Sequence, residues 1–397
     1  MDKCVFCDTD LSPGSEEHVF LSALGGRVTT RRATCSGCNN AFSSNATGKV
    51  DDALAEGFVE IRNGLKIWSG RDAAPPLLTK AGTLPDGAEF DLAPGYVPVV
   101  RAGRIPAQLA VGSQHQLVAR DEADAERILT ILSKRGHTLQ KGTAVHVQQK
   151  APTVHRSVSF DGNKVWRCVA KTAVVGFVVL YGNEHALRFV STELRMAIRY
   201  GTPAIDNFAG WDFTNQWPMI DLVAHPKTPD AQISGFEHSL FICDVDENSV
   251  AYVSVFGNWR FSVLLGKKTG LPPKGLAINP RSTKLARFIV NALPPSAYVP
   301  KVPGSLSFEH GQVLAGVQSG FTRALQQWSF EAHDSYAEQL TDELQVAVQE
   351  AGEDETMRAA AIAEFARKLA VLEHGGAWET DLSTVFDEDS GETTSAG

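Results

Sequence analysis

The chain has 397 residues, 43% of them apolar and 21% charged, with a formal net charge of -9. That composition is ordinary globular material, long enough for two or three cores, and no apolar run approaches the ~18 to 20 residues that a membrane helix needs. A helical membrane protein is thereby excluded and no membrane partner is expected. The acid is unevenly placed: residues 331–397 hold 17 acidic and 3 basic residues, and the rest of the chain carries a net charge of +5. Such a body is compatible with a nucleic-acid partner without arguing for one. The opening Met1-Asp2-Lys3-Cys4 has no signal-peptide pattern, so a cytoplasmic protein is expected.

Residues 1–54 form a Cys-rich head, and residues 55–68 read as the end of a helix or a short connector. From 71 to 110 Pro and Gly recur between short apolar pieces, which suits strands joined by turns; residues 55–120 are taken as a connector rich in loops and strands. The spacing of Ile128, Leu129, Ile131 and Leu132 predicts a helix over 121–135. His146–Gln149 and Val154–Phe160 have the look of strands, while Arg167–Leu180 and Ser191–Tyr200 have helical spacing. A hairpin, His238–Asp244 with Val250–Phe256, and a third strand, Trp259–Leu265, complete a body over 121–330. Lys267-Lys268 and the run Pro280–Arg287 read as a solvated loop and helix face. Two Ala- and Glu-rich helices, roughly 333–350 and 355–373, form an antiparallel pair within 331–379, and 380–397 reads as a disordered acidic tail. The fold class is α+β: a small zinc-bound head, a body with an antiparallel sheet, and a C-terminal helical pair.

Chemistry concentrates in the head. Cys4-x-x-Cys7 and Cys35-x-x-Cys38 are two knuckles that can complete one tetrahedral sulfur shell. Such a shell is closed, so the expected zinc staples the fold and does no chemistry. Cys168 and Cys243 sit alone in apolar stretches and read as inert core residues. Between the knuckles lies Glu17-His18-Val19-Phe20-Leu21-Ser22-Ala23-Leu24-Gly25-Gly26-Arg27, and Asn39-Asn40 follows the second knuckle directly. Histidine titrates in the range useful to a general base. The other ten histidines show no ligand spacing and read as structural.

The acid-His pair, the Gly-Gly turn, the C-x-x-C-Asn knuckle and the Gly48-x-x-Asp51 element together resemble the HNH endonucleases of the ββα-metal class. The resemblance covers residues 4–54. It implies a metal-dependent cut of DNA phosphodiester bonds, with His18 as base, Glu17 as first ligand of a catalytic Mg²⁺ or Mn²⁺, and Asn39 as second. Asn40 or Asp51 are the alternatives to Asn39. Where the family commonly has an Asn that orients the base histidine, this chain has Thr30, whose hydroxyl, or else a backbone carbonyl, would take that task. Arg27, Arg31 and Arg32 are placed by the same hairpin to clamp phosphates. HNH heads on long bodies also resemble restriction and phage-defence nucleases, the body then selecting the target or sensing a regulatory ligand or protein partner. The alternative is a zinc ribbon that grips DNA or protein without cutting.

Overall fold

The structure is a computed structural model that describes residues 2–11, 14–44, 49–83, 89–101, 122–136, 160–215, 217–296 and 306–374. The strand expected at 146–149, all but the last residue of the strand expected at 154–160, the residue Gly48 and the acidic tail fall outside the described residues.

The chain begins with β1 (Ser15–His18) and β2 (Thr29–Thr34), an antiparallel pair joined through a short 3-10 turn at Ser22–Leu24. Helices α1 (Ser36–Phe42), α2 (Val50–Gly57) and α3 (Val59–Gly64) follow. Strands β3 (Leu78–Thr83), β4 (Glu89–Ala93) and β5 (Val97–Val100) make a small antiparallel sheet, as the Pro/Gly punctuation of that region suggested. Next come α4 (Glu122–Lys134), α5 (Gly162–Tyr181), α6 (Asn183–Phe189) and α7 (Thr192–Tyr200). The main sheet is built from β6 (Ala209–Trp211), β7 (Met219–Ala224), β8 (His238–Val245), β9 (Asn248–Val255), β10 (Trp259–Lys267), β11 (Lys274–Ile278) and β12 (Arg287–Leu293). Its order is β6-β10-β9-β8-β11-β12-β7, and every pairing is antiparallel. The long α8 (Leu306–Ala351) and α9 (Glu355–His374) end the described chain. None of the described helices is long and apolar enough to cross a membrane.

Helix α5 organises the fold. Asp161 caps its first turn by accepting from the Lys164 N–H, and residues 165–178 are buried on nearly every side, most of them apolar, with Arg167 and Lys171 as the charged exceptions. A helix apolar all round has to be enclosed. One face of β8, β9 and β10 (Leu240, Ile242, Val253, Val255, Phe261, Val263) packs against it, and the head covers another side through Phe20, Phe42 and Leu54. The buried apolar side chains of the head, such as Val5, Val19, Phe20, Phe42 and Leu54, therefore belong to the same hydrophobic core as the body. On its other face the sheet buries Phe241, Tyr252 and Phe288 in a second cluster.

Two expectations from the sequence are corrected. The run Pro280–Arg287 is not helical: it is a turn that feeds β12, whose alternating buried Phe288 and Val290 set the period of a strand. Helix α8 begins well before 333, at Leu306. Its Gly316 and Gly320 depress helix propensity and hid it, yet they let the helix approach closely: a methyl at Gly320 would stand 2.7 Å from the Trp259 indole.

The chain divides into two compact units, residues 1–324 and 325–397. In the second, α9 folds back along α8 after Gly352: the Lys368 ammonium meets Glu343 at 2.9 Å, and Asp354 caps α9 by accepting from the Thr356 and Met357 N–H groups.

Candidate metal and hydrolytic site

Both cysteine knuckles close on one point. The sulfurs of Cys4, Cys7, Cys35 and Cys38 all lie within 4.8 Å of one another. Zn–S bonds of about 2.3 Å in a tetrahedron place sulfurs about 3.8 Å apart, so the cluster has the size that zinc requires. Cys4 and Cys38 are buried, and the Cys38 thiol hydrogen-bonded to Cys4 pulls the Cys4 pKa down to about 5. Arg199 of α7 donates from Nε to Cys38 Sγ at 3.3 Å, support for a thiolate from outside the ligand shell. The knuckles are also fastened to the body by Asn183, whose side chain donates to the Lys3 and Arg32 carbonyls, and by Arg195, which donates to the Val5 carbonyl.

A bulge interrupts the β1–β2 ladder between Ser15 and Glu17, and the two residues after it, Glu17 and His18, are both buried. His18 Nδ1 lies 3.0 Å from the Gly26 carbonyl oxygen. A carbonyl can only accept, so Nδ1 carries the hydrogen and Nε2 keeps its lone pair. Burial and then the neighbouring Arg71 push the His18 pKa down, which favours the neutral ring. The Gly-Gly turn makes this contact possible. Gly25 has a φ of 87°, in the left-handed region, and a methyl at Gly26 would overlap the Phe20 carbonyl oxygen.

Glu17 meets a residue that no sequence motif marked. The Lys171 ammonium, in the middle of α5 and wholly buried, lies 3.0 Å from Glu17 Oε1 and 2.6 Å from Asp51 Oδ1. The Phe42 ring stands 5.0 Å from the same nitrogen. Burial raises the Glu17 pKa, with Lys171 opposing that rise. Among the described residues, Glu17 Oε2 is buried without a hydrogen-bond partner, and Asp51 Oδ1, for all its closeness to Lys171, makes no aligned hydrogen bond. Asn39 donates its amide nitrogen to Ser15 Oγ (2.7 Å) and to the Glu16 carbonyl (3.2 Å), so its carbonyl oxygen is the end left for a ligand. Asn40 is exposed.

The remaining predicted residues are distributed differently. Thr30 stands opposite Glu17 in the ladder, and its hydroxyl accepts from the Arg32 N–H; the imidazole is held by Gly26 instead. Arg27 is spent inside the fold, donating to the carbonyls of Ser69, Gly70 and Ser282 and pairing with Asp72. Arg32 pairs with Asp2, and Arg31 is exposed. Arg71, exposed and acting on His18, is a cation that the sequence did not single out. One signal for Lys171 was available: a lone lysine within Cys168-Val-Ala-Lys-Thr-Ala-Val174 cannot be buried without a carboxylate partner.

Away from the head, the second face of the main sheet carries a cleft of about 620 Å³ lined by Trp217, Ile220, Glu237, Ser254 and Arg260 among others. No family model matches the sequence, and no curated protein or solved structure matches it either.

Proposed function

We propose that the chain is a zinc-stapled phosphodiester hydrolase of the HNH kind that cuts DNA, with His18 as its base. The observation that carries this reading is the fixed imidazole: Gly26 locks the tautomer, and Nε2 is left as a proton acceptor directly beside Glu17 in the chain. Water attacking a phosphodiester loses a proton as its oxygen bonds to phosphorus, and Nε2 accepts it. A ring kept neutral by burial and by Arg71 can do so at neutral pH. Breaking the bond from phosphorus to the 3′-oxygen then leaves 5′-phosphate and 3′-hydroxyl ends.

A Mg²⁺ or Mn²⁺ ion would be held by Glu17 and Asn39 and would supply charge stabilisation to the phosphate and the departing oxygen. The donor set suits a hard cation: a carboxylate oxygen buried without a hydrogen-bond partner among the described residues, and an amide carbonyl. Arg71 and Arg31 take over as the phosphate-facing cations, since Arg27 and Arg32 are engaged within the protein.

A second reading, a zinc module that binds without cutting, draws support from Lys171, which already offsets part of the acid charge. Plasmid, linear duplex, single-stranded DNA and RNA should be incubated with the zinc-loaded protein, with and without Mn²⁺. The hydrolase reading expects Mn²⁺-dependent cleavage of DNA with 5′-phosphate ends. Binding of DNA with no cleavage of any substrate would favour the second reading.

A further inference from the structure

We infer that Lys171 is the positioning residue of the Glu17–His18 centre: it anchors one carboxylate oxygen of Glu17 so that the other is presented to a divalent cation. The inference rests on the metal-dependent reading above and adds to it a residue from the body, 154 positions along the chain from Glu17.

Lys171 is 0% exposed, in a helix whose neighbouring Cys168, Val169, Ala170, Ala173 and Val174 are all buried and apolar or weakly polar. An ammonium there loses its hydration, and only well-placed carboxylates offset the loss. A lysine whose task was only to join head to body would need one carboxylate. This one has two, Glu17 from β1 and Asp51 from α2. With all three groups ionised, the cluster holds one negative charge too many.

The excess has an address. Glu17 Oε1 is taken by Lys171, whereas among the described residues Oε2 is buried without a hydrogen-bond partner; Asp51 Oδ1 makes no aligned hydrogen bond either, but it faces the ammonium at 2.6 Å. A buried carboxylate oxygen left without a donor is destabilising, and a cation is the partner that answers it. Asp51 Oδ1 lies 2.6 Å from the same ammonium and shares its charge, while the contact to Oε1 belongs to Glu17 and Lys171 alone. Head and body thereby share one centre: the head supplies the ligands, and α5 fixes the orientation of the first of them. Lys171 has no exposed surface with which to touch a substrate, so it acts through Glu17 alone.

The test measures Mn²⁺ binding to the zinc-loaded full chain by electron paramagnetic resonance, beside thermal melting and cleavage. Lys171→Met alone strands the buried Glu17 carboxylate and the half-buried Asp51 carboxylate and is expected to melt far earlier or not to fold. The paired change Lys171→Met/Asp51→Asn removes one charge of each sign and keeps the balance of the cluster. Its melting temperature should return close to that of the parent, while Mn²⁺ binding stays weakened about tenfold or more, the usual effect of losing a partner behind a metal ligand. Asp51→Asn alone leaves the Lys171–Glu17 contact in place and should retain Mn²⁺ binding. Glu17→Gln should abolish it. The inference is overturned if the paired variant binds Mn²⁺ like the parent, since Lys171 would then be a counter-ion and nothing more. It is equally overturned if Asp51→Asn loses binding as Glu17→Gln does, or if the parent has no Mn²⁺ site that Glu17→Gln removes. Mn²⁺ binding that follows the expected pattern in a protein that cuts no substrate would sink the hydrolase reading and leave the role of Lys171 standing.

Discussion

Arg27 acts as a joint inside the fold. Its guanidinium donates to three backbone carbonyls, from Ser69, Gly70 and Ser282, and its side chain is only 12% exposed. Arg27→Ala is expected to cost about 1 to 3 kcal/mol of stability by stranding those carbonyls, and to leave DNA affinity unchanged. Denaturant unfolding and a binding titration on the same variant check both halves; lost affinity at unchanged stability would restore the phosphate role. The sequence could not separate Arg27 from Arg31 and Arg32, because its partners lie 42 to 255 positions away. The four cysteines were legible from spacing alone, because a C-x-x-C turn aims both thiols at one point wherever it occurs. Lys171 was legible only as an anomaly, and the Gly26 carbonyl that holds His18 not at all: a backbone acceptor has no letter of its own.

At the scale of elements, periodicity served well where one physical demand ruled. Helix α7 and strands β8 to β10 lie within two residues of their expected limits, bounded by caps or turns such as Ser191 and Gly201, whereas α5 starts at Gly162, ahead of the expected Arg167, where Asp161 caps it. Periodicity failed at α8, where Gly316 and Gly320 serve close packing against Phe213 and Trp259. His238, the first residue of β8, was read as structural, and it ties sheet to head. The Phe256 N–H donates to Nδ1, so Nε2–H donates to the Leu24 carbonyl at 2.8 Å. Complete burial pushes its pKa from 6.5 down to about 4. The unfolded chain therefore takes up a proton that the folded chain refuses. Stability contributed by neutral His238 is present above pH 6.5 and is lost as pH falls from 6.5 towards 4, by about 3 kcal/mol in all. Melting temperatures across that window should fall more steeply for the parent than for His238→Gln, which keeps a donor and an acceptor but does not titrate there. Parallel curves would remove His238 from the account.

At the scale of the molecule, the first 324 residues form one compact unit in which head and body share a core. The two C-x-x-C knuckles suggest a module that stands alone, and its apolar side chains show why it does not: Phe20, Phe42 and Leu54 find their partners on and around α5. Removing zinc should consequently loosen more than the head. A strong chelator, or Cys38→Ser, is expected to lower the melting temperature of the whole unit in a single transition, with the Trp259 region losing hydrogen-exchange protection alongside the knuckles. Protection lost at the knuckles alone would contradict the shared core. The proposed chemistry depends on His18, which is tested by single-turnover cleavage of duplex DNA in Mn²⁺ by the parent and by His18→Ala, with DNA affinity measured on the same preparations. The account predicts that His18→Ala binds DNA as tightly as the parent and cuts at least about a hundredfold more slowly, the scale of a lost general base. A His18→Ala protein that cuts as fast as the parent would contradict it.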